Sequence, residues 1–216
     1  MPEWRHFTGP QPYLELMQAM QDHASAIRQH GAAEAIWLLE HEAVYTGGTS
    51  ARDSDLLAPG PVPSLHVGRG GQWTFHGPGQ RVAYVMLDLS RRGQDVRALV
   101  HGLENWIIDS LAIFGITGQR REGLPGIWVK TGNSASGFDK VAAIGIRISR
   151  WVSWHGISIN VNPDLGAFNA IVPCGVTNGG VTSLEKLGVN ISMAELDAAL
   201  KANFPAFIVP EKTRPA

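Results

Sequence analysis

The chain has 216 residues, 18 Lys+Arg against 19 Asp+Glu, a formal net charge of −1 and 44% hydrophobic residues. That length fits a single domain, and that apolar fraction is enough for a real core. The near-neutral charge argues against a general nucleic-acid binder, which carries a basic excess, and no apolar run approaches the ~20 residues of a membrane-crossing helix.

Met1 to His6 lacks the charged-then-apolar pattern of a secretory leader. The only cysteine, Cys174, cannot form an internal disulfide, which points to a reducing compartment or to no need for covalent staples. The expectation is a soluble cytoplasmic protein that binds neither nucleic acid nor membrane. Seven tryptophans point to a deep core, an apolar ligand pocket, or both.

Pro10 and Pro12 precede an amphipathic helix whose stripe is Tyr13, Leu16, Met17, Met20, Ala24 and Ile27, stopped by Gly31. Ala35 to Leu39 reads as a buried strand. Residues 46–64, rich in Gly, Ser and Pro, read as a loop. Leu65-His66-Val67, Trp73-Thr74-Phe75 and Val82 to Leu87 are strand-like and separated by glycine turns. A second helix spans about 95–114, with a stripe from Val96 to Phe114 closed by Gly115. Ile127-Trp128-Val129 is a short strand, and Val141–Ile148 and Trp151–Val161 are two long strands joined by a tight turn. Ser192 and Glu195 form a capping-box pattern that opens a last helix to about Phe204. With no repeat and no linker, the chain reads as one α/β (or α+β) domain with a mixed or mostly antiparallel sheet.

Cys174 sits between Pro173 and Gly175, which interrupt any regular element and place the thiol at a bend. Both core packing and nucleophilic chemistry are compatible with that setting. Gly68 to Gln80 is the densest unusual segment. Its glycines let backbone N–H groups approach a ligand, Arg69 suits a carboxylate or phosphate, and His76 suits proton transfer or ligand orientation; a plain glycine-rich hairpin is the alternative. The segment lacks the Gly-Lys-Ser/Thr ending of a phosphate-binding loop and the dinucleotide fingerprint. His41, His66, His76, His101 and His155 show no metal-ligand spacing, so no metal is expected. His76 and His155, flanked by glycine, are expected to line a substrate site instead. Lys140 opens an apolar run, which is the setting of a solvated strand end; beside Cys174 its ammonium would favour the thiolate.

Several stretches together resemble one family. Arg69-Gly70-Gly71-Gln72-Trp73-Thr74-Phe75-His76-Gly77-Pro78-Gly79-Gln80, Lys140-Val141-Ala142-Ala143-Ile144-Gly145, Trp151 to Val161, Pro173-Cys174-Gly175 and Glu40 to Thr46 resemble the signatures of the octanoyltransferases, also called lipoyl(octanoyl) transferases, of lipoate biosynthesis. The likeness runs in order from about residue 35 to 185. It departs at Arg81, where an aliphatic residue is usual, at Gly47-Gly48, and in a longer Gly/Ser loop before Lys140.

The resemblance implies a single domain over 1–216 with a fold like the catalytic domain of biotin and lipoate protein ligases, a mixed sheet packed with helices. It implies transfer of an octanoyl (or lipoyl) group from octanoyl-acyl carrier protein to a lysine of lipoyl domains, those of 2-oxoacid dehydrogenases and the glycine cleavage H protein, by a monomer without cofactor. Cys174 would be the nucleophile and Lys140 its partner. Arg69, Gly70, Gly71, Gln72, Trp73, Thr74, Phe75 and His76 would cradle substrate, together with Ala143, Ile144 and Gly145, read as a turn, and with Gly156, Ile157 and Ser158. Thioester-to-amide transfer is downhill and needs no ATP. Trp73 and Phe75 are expected as pocket walls, and burying seven methylenes contributes about 5 kcal/mol at ~0.8 per CH₂. Arg120, Arg121, Arg147 and Arg150 are candidates for docking acidic partners. Two rivals remain: an ATP-dependent ligase on the same fold, and a non-catalytic carrier-binding module with Cys174 as packing.

Overall fold

The computed structural model describes residues 1–172 and 180–205. The chain opens with strand β1 (Glu3–Gln11), helix α1 (Tyr13–His30), and strands β2 (Ala35–His41) and β3 (Val44–Gly47). Strands β4 (Ser64–His66), β5 (Trp73–His76) and β6 (Gln80–Met86) precede helix α2 (Val96–Ala112). Then come β7 (Gln119–Arg121), β8 (Leu124–Lys130), β9 (Phe138–Ser149), β10 (Val152–Asn160), the short β11 (Gly180–Val181) and helix α3 (Met193–Ala202).

Eight strands form a mixed sheet in the order β1-β2-β6-β10-β9-β8-β7, with β11 also paired to β9; β4-β3-β5 form a second, smaller sheet. Most pairs are antiparallel, while β1–β2, β3–β4 and β9–β11 are parallel. β6 is buried along its whole length. Val85 and Leu87 face α2 and α3, and Tyr84 and Met86 face α1. A strand covered on both faces reads as an unbroken apolar run, which is what Val82 to Leu87 shows. β2 divides the same way, Ile36 and Leu38 to one side, Trp37 and Leu39 to the other. The small sheet has its own core of Tyr45, Trp73, Phe75, Phe168 and Ile171.

The helix signals hold. Gly31 ends α1 at φ 65, and Ser192 and Glu195 make the reciprocal capping box of α3. One expectation is corrected, and one strand was not anticipated. Residues 46–64 are not one loop: β3 runs to Gly47, a turn of 3₁₀ helix spans Asp53–Asp55, Leu56 bridges to Ile171, and β4 begins at Ser64. Pro10 lies inside an edge strand, because β1 slips register between His6 and Pro10 and so accommodates a residue without an N–H. The tight turn between β9 and β10 is made by Arg150 (φ 49) and Trp151 (φ 68), a left-handed pair that usually requires glycine or asparagine.

The two-sided packing gives a direct stability prediction. Leu38→Ala, at a fully buried β2 position, should cost about 2–5 kcal/mol in urea unfolding. Leu14→Ala, on a half-exposed face of α1, should stay within about 0.5 kcal/mol.

Candidate active site

The glycine-rich segment before β5 is laid against two partners by close backbone approach. Gly48 sits under the carbonyls of Arg69, Gly70 and Gly71; a Cβ there would come within 2.8 Å of Arg69 O and 2.7 Å of Gly70 O, so only glycine fits. Thr49 N donates to Arg69 O (2.9 Å) and Ser50 N to Gly71 O (3.0 Å). On the other side Gly70 N donates to Ile146 O of β9 (3.0 Å). Arg69 is buried, and its guanidinium donates to Thr46 O (2.5 Å), Gln72 O (2.9 Å) and Gly70 O (2.9 Å). It holds the loop in shape from within.

A change of register in β9 places Lys140. Tyr84, Gly156 and Gly145 form one row across β6, β10 and β9, and Val82, Ser158 and Ala143 the next. Simple alternation from Ala143 would carry Val141 onto this face and Lys140 onto the other. Instead Ile127 pairs with Ala142 while the next β8 residue, Trp128, pairs with Lys140, so β9 carries one extra residue. Val141 and Ala142 both pack into the core beneath α2, and Lys140 emerges among Ala143 and Gly145. This is the known use of a β-bulge, re-aiming one side chain. Lys140 is not a solvated strand end: it is buried, with its amine 5.0 Å from the centre of the Trp128 ring. Gly126 (φ 108) makes room, since a Cβ there would meet Ala142 O at 2.5 Å and Lys140 Cε at 3.3 Å.

The loop, β9 and β10 enclose a cavity of about 200 Å³. A single water needs only ~10–15 Å³ on this measure, so the cavity takes a chain of atoms, not one small group. Arg69, Gly71, Gln72, Trp73, Thr74 and His76 line one side; Lys140, Ala143, Ile144 and Gly145 line another; Gly156, Ile157 and Ser158 form the floor.

Residues 12–205 match the lipoyl protein ligase A/B catalytic domain family. Octanoyltransferases are close in sequence throughout: that of Cereibacter sphaeroides is 54% identical over 209 residues, 94% of this chain and 96% of the relative, and that of Acidiphilium cryptum is 56% identical over 207 residues, 94% and 90%. The chain belongs to the octanoyltransferases of this family. The resemblance drawn from the glycine-rich, Lys140 and Trp151–Val161 stretches is thereby confirmed. The fold expectation holds as well. A bipartite lipoate protein ligase from Thermoplasma acidophilum superposes with a TM-score of 0.71 at 16% identity, covering 96% of this chain and 84% of that one. Biotin protein ligase from Aquifex aeolicus, in complex with biotin and ATP, gives 0.57 at 12%, covering 96% and 71%.

Not every residue expected at the substrate site reaches the cavity wall. Phe75 points away, its ring 5.3 Å from Tyr45 and 5.6 Å from Phe168 in the core of the small sheet. Gly70 serves the loop through Ile146. Ala143 to Gly145 are not a turn but mid-strand, paired with Ser158, Ile157 and Gly156. Arg81 faces away from the cavity and pairs with Asp197 of α3 at 2.8 Å. Of the docking candidates, Arg120 is engaged by Glu104 at 2.6 Å, and Arg121 stacks on Phe138 at 4.9 Å. Cys174 lies outside the described residues, so its distance to Lys140 is not part of the geometry. Among the described residues no three metal-ligating side chains come together, and no helix is long and apolar enough to cross a membrane.

Tyr13, Val82 and Tyr84 also line the cavity and were not anticipated. Tyr13 carries the first position of the α1 stripe, where an aromatic residue with a polar tip reads as core. Here it stands in a buried polar cluster. Tyr84 donates its hydroxyl to His41 Nε2 (2.5 Å), because His41 Nδ1 is committed to Gln11 O (3.0 Å). Tyr13 packs on His41 and His76, with ring centres 4.9 and 6.1 Å away. Burial dominates the titration of all these groups. It pulls His41 down to about 4 and both His76 and His155 down to about 3, and pushes Tyr13 up to about 12. The histidines are therefore neutral at physiological pH.

An unfolded histidine titrates near 6.5, so between that pH and the folded values the unfolded chain binds more protons than the native one. Stability from these three groups is fully present above about pH 6.5 and is lost as pH falls toward 4. The slope approaches 1.4 kcal/mol per pH unit for each histidine, about 4 for all three. Urea midpoints measured from pH 7 to 4.5 should fall steeply, and His155→Asn should remove about a third of that slope. A flat profile would show that the histidines are not buried in their neutral form.

Proposed function

We propose that the chain moves an octanoyl group from acyl carrier protein to a specific lysine of lipoyl-domain proteins through a thioester on Cys174, with Lys140 as the proton partner. The observation that carries this reading is the bulge-directed Lys140, buried at the wall of a cavity whose other walls combine glycine backbone with apolar, histidine and hydroxyl-bearing side chains. The acyltransferase activity and its acceptor class accord with octanoyltransferases that are 51–56% identical over nearly the whole chain. That level of likeness also favours it over an ATP-dependent ligase, since the lipoate protein ligase from Thermoplasma acidophilum is only 16% identical to this chain.

In the first step the Cys174 thiolate attacks the donor thioester carbonyl. The carrier's thiolate departs, and Lys140, as ammonium, protonates it. The carbonyl oxygen carries negative charge in between, which a backbone N–H lowers most effectively in a water-poor site. In the second step the acceptor lysine amine attacks the acyl-cysteine. Neutral Lys140 takes a proton from that amine as the amide forms and the Cys174 thiolate leaves, which restores the starting thiolate–ammonium pair. Splitting the transfer this way lets donor and acceptor use the site in turn. The lipoyl domains of 2-oxoacid dehydrogenases and the glycine cleavage H protein are the proposed acceptors, and the cytoplasm the proposed compartment.

Incubation with octanoyl-carrier protein should raise the intact mass by one octanoyl group, located on Cys174. Cys174→Ala should remain unlabelled and lose transfer to a lipoyl domain. Undiminished transfer by Cys174→Ala would refute the covalent route, and pyrophosphate release from ATP with free octanoate would favour the ligase.

A further inference from the structure

The floor of the cavity is two strands wide. Ala143 and Gly145 lie on β9, with Ser158 and Gly156 beside them on β10, and all four are small. On the next strand, β6, the same two rows end in Val82 and Tyr84. At that strand boundary the side chains step from nothing larger than serine to valine and tyrosine.

Along the strands this trough is closed at both ends. Gly145 lies under the glycine-rich loop, where a Cβ would come within 3.1 Å of Arg69 Cδ and 3.3 Å of Gly70 O. One residue further on, the loop is pinned to β9 by the bond from Gly70 N to Ile146 O (3.0 Å). Toward the other end His76 Nδ1 is bonded to Gln80 Oε1 (2.6 Å) and Gln80 Nε2 donates to Asn160 Oδ1 (2.9 Å), a buried tie from β5 through β6 to β10. The open direction therefore runs across the strands, from Lys140 on β9 to β6, and there it stops. β2 lies beyond β6, yet no described residue of β2 lines the cavity. Tyr84 is braced from that side by His41 of β2, to which its hydroxyl donates (2.5 Å). Tyr13, from the first turn of α1, packs its ring on His41 and His76 and completes the barrier. The Tyr13 hydroxyl is buried with no hydrogen-bond partner among the described residues, so what this residue supplies here is the bulk of its ring.

The span matches one chain length. From β9 to β6 is two strand spacings, about 10 Å. The seven C–C bonds of an octanoyl group, about 1.5 Å each, reach about 9 Å as an extended zigzag, and a decanoyl group needs roughly 2.5 Å more. We propose that Val82, Tyr84 and Tyr13 form the specificity-determining end wall that limits the transferred acyl chain to about eight carbons. The proposal rests on the reading of the cavity as the acyl site, with the reacting carbonyl at Lys140 and the chain lying across β10. The wall acts through volume: a close-packed interior admits extra methylenes only by straining rotamers and backbone.

The test is a competition on the full chain. Hexanoyl-, octanoyl- and decanoyl-carrier protein are supplied in equal amounts, a lipoyl domain accepts, and mass spectrometry gives the product ratios. Wild type should favour octanoyl over decanoyl by about tenfold or more, the effect of surplus methylenes at a closed wall. Tyr13→Ala and Val82→Ala each withdraw atoms from the wall, and either should move the octanoyl-to-decanoyl ratio about tenfold toward decanoyl. Ala143→Leu fills the floor nearer Lys140 and should turn the preference toward hexanoyl. If Ala143→Leu does so while neither wall variant moves the ratio, the end wall is overturned and the acyl site stands. If none of the three variants changes any ratio, the acyl-site reading itself falls. A wild type that transfers decanoyl as readily as octanoyl overturns the wall even if no variant folds.

Discussion

The site depends on which face of β9 Lys140 occupies. Without the extra residue at Val141–Ala142, alternation would bury Lys140 beneath α2, where Leu103, Trp106 and Ile107 leave no place for an ammonium. The bulge resolves a conflict between two demands on one strand. Val141 and Ala142 are needed in the core, and the lysine two positions from Ala142 is needed in the cavity. Gly126 on the neighbouring strand is part of the same solution, because the bulged Ala142 carbonyl and the Lys140 side chain approach it too closely for a Cβ.

Around that lysine the cavity lining is largely polar. His41, His76 and His155 are held neutral by burial, and the cation Arg69 donates to the carbonyls of Gly70 and Gln72 in its own loop and of Thr46 in β3. Such a lining leaves Lys140 as the lysine among the residues that line the cavity. The glycine segment contributes shape. Gly48 lets the loop lie down, and Gly70 anchors it to Ile146, where β9 has already parted from β8.

Much of this was legible in the sequence. The long apolar run at Val82 to Leu87 announced a strand covered on both faces, and the Ser192–Glu195 pair announced α3. The cavity-lining segments were legible because glycine, histidine and arginine at fixed spacing have few structural uses in common. What escaped was non-local. β1 and β11 are too short or too broken by Gly9 and Pro10 to show a period, and they exist because a neighbouring strand offers them an edge. The outward turn of Phe75 follows from the small sheet having a core of its own, a fact of topology that Trp73-Thr74-Phe75 does not encode. The bulge is invisible for the same reason: Lys140-Val141-Ala142-Ala143 reads as a plain run, and only pairing with β8 reveals the added residue. Tyr13 was hidden by its own helix, since a core stripe and a pocket wall share the same spacing.

The central claim is that Lys140, turned inward by the bulge, governs the reactivity of Cys174. Iodoacetamide alkylation of the single thiol across pH 5–10, in wild type and in Lys140→Met, tests it most directly. An ordinary thiol titrates near 8.5, and a neighbouring ammonium lowers that value. The wild-type midpoint should lie below it, and Lys140→Met should shift the midpoint upward. Superimposable profiles for the two proteins would contradict the account.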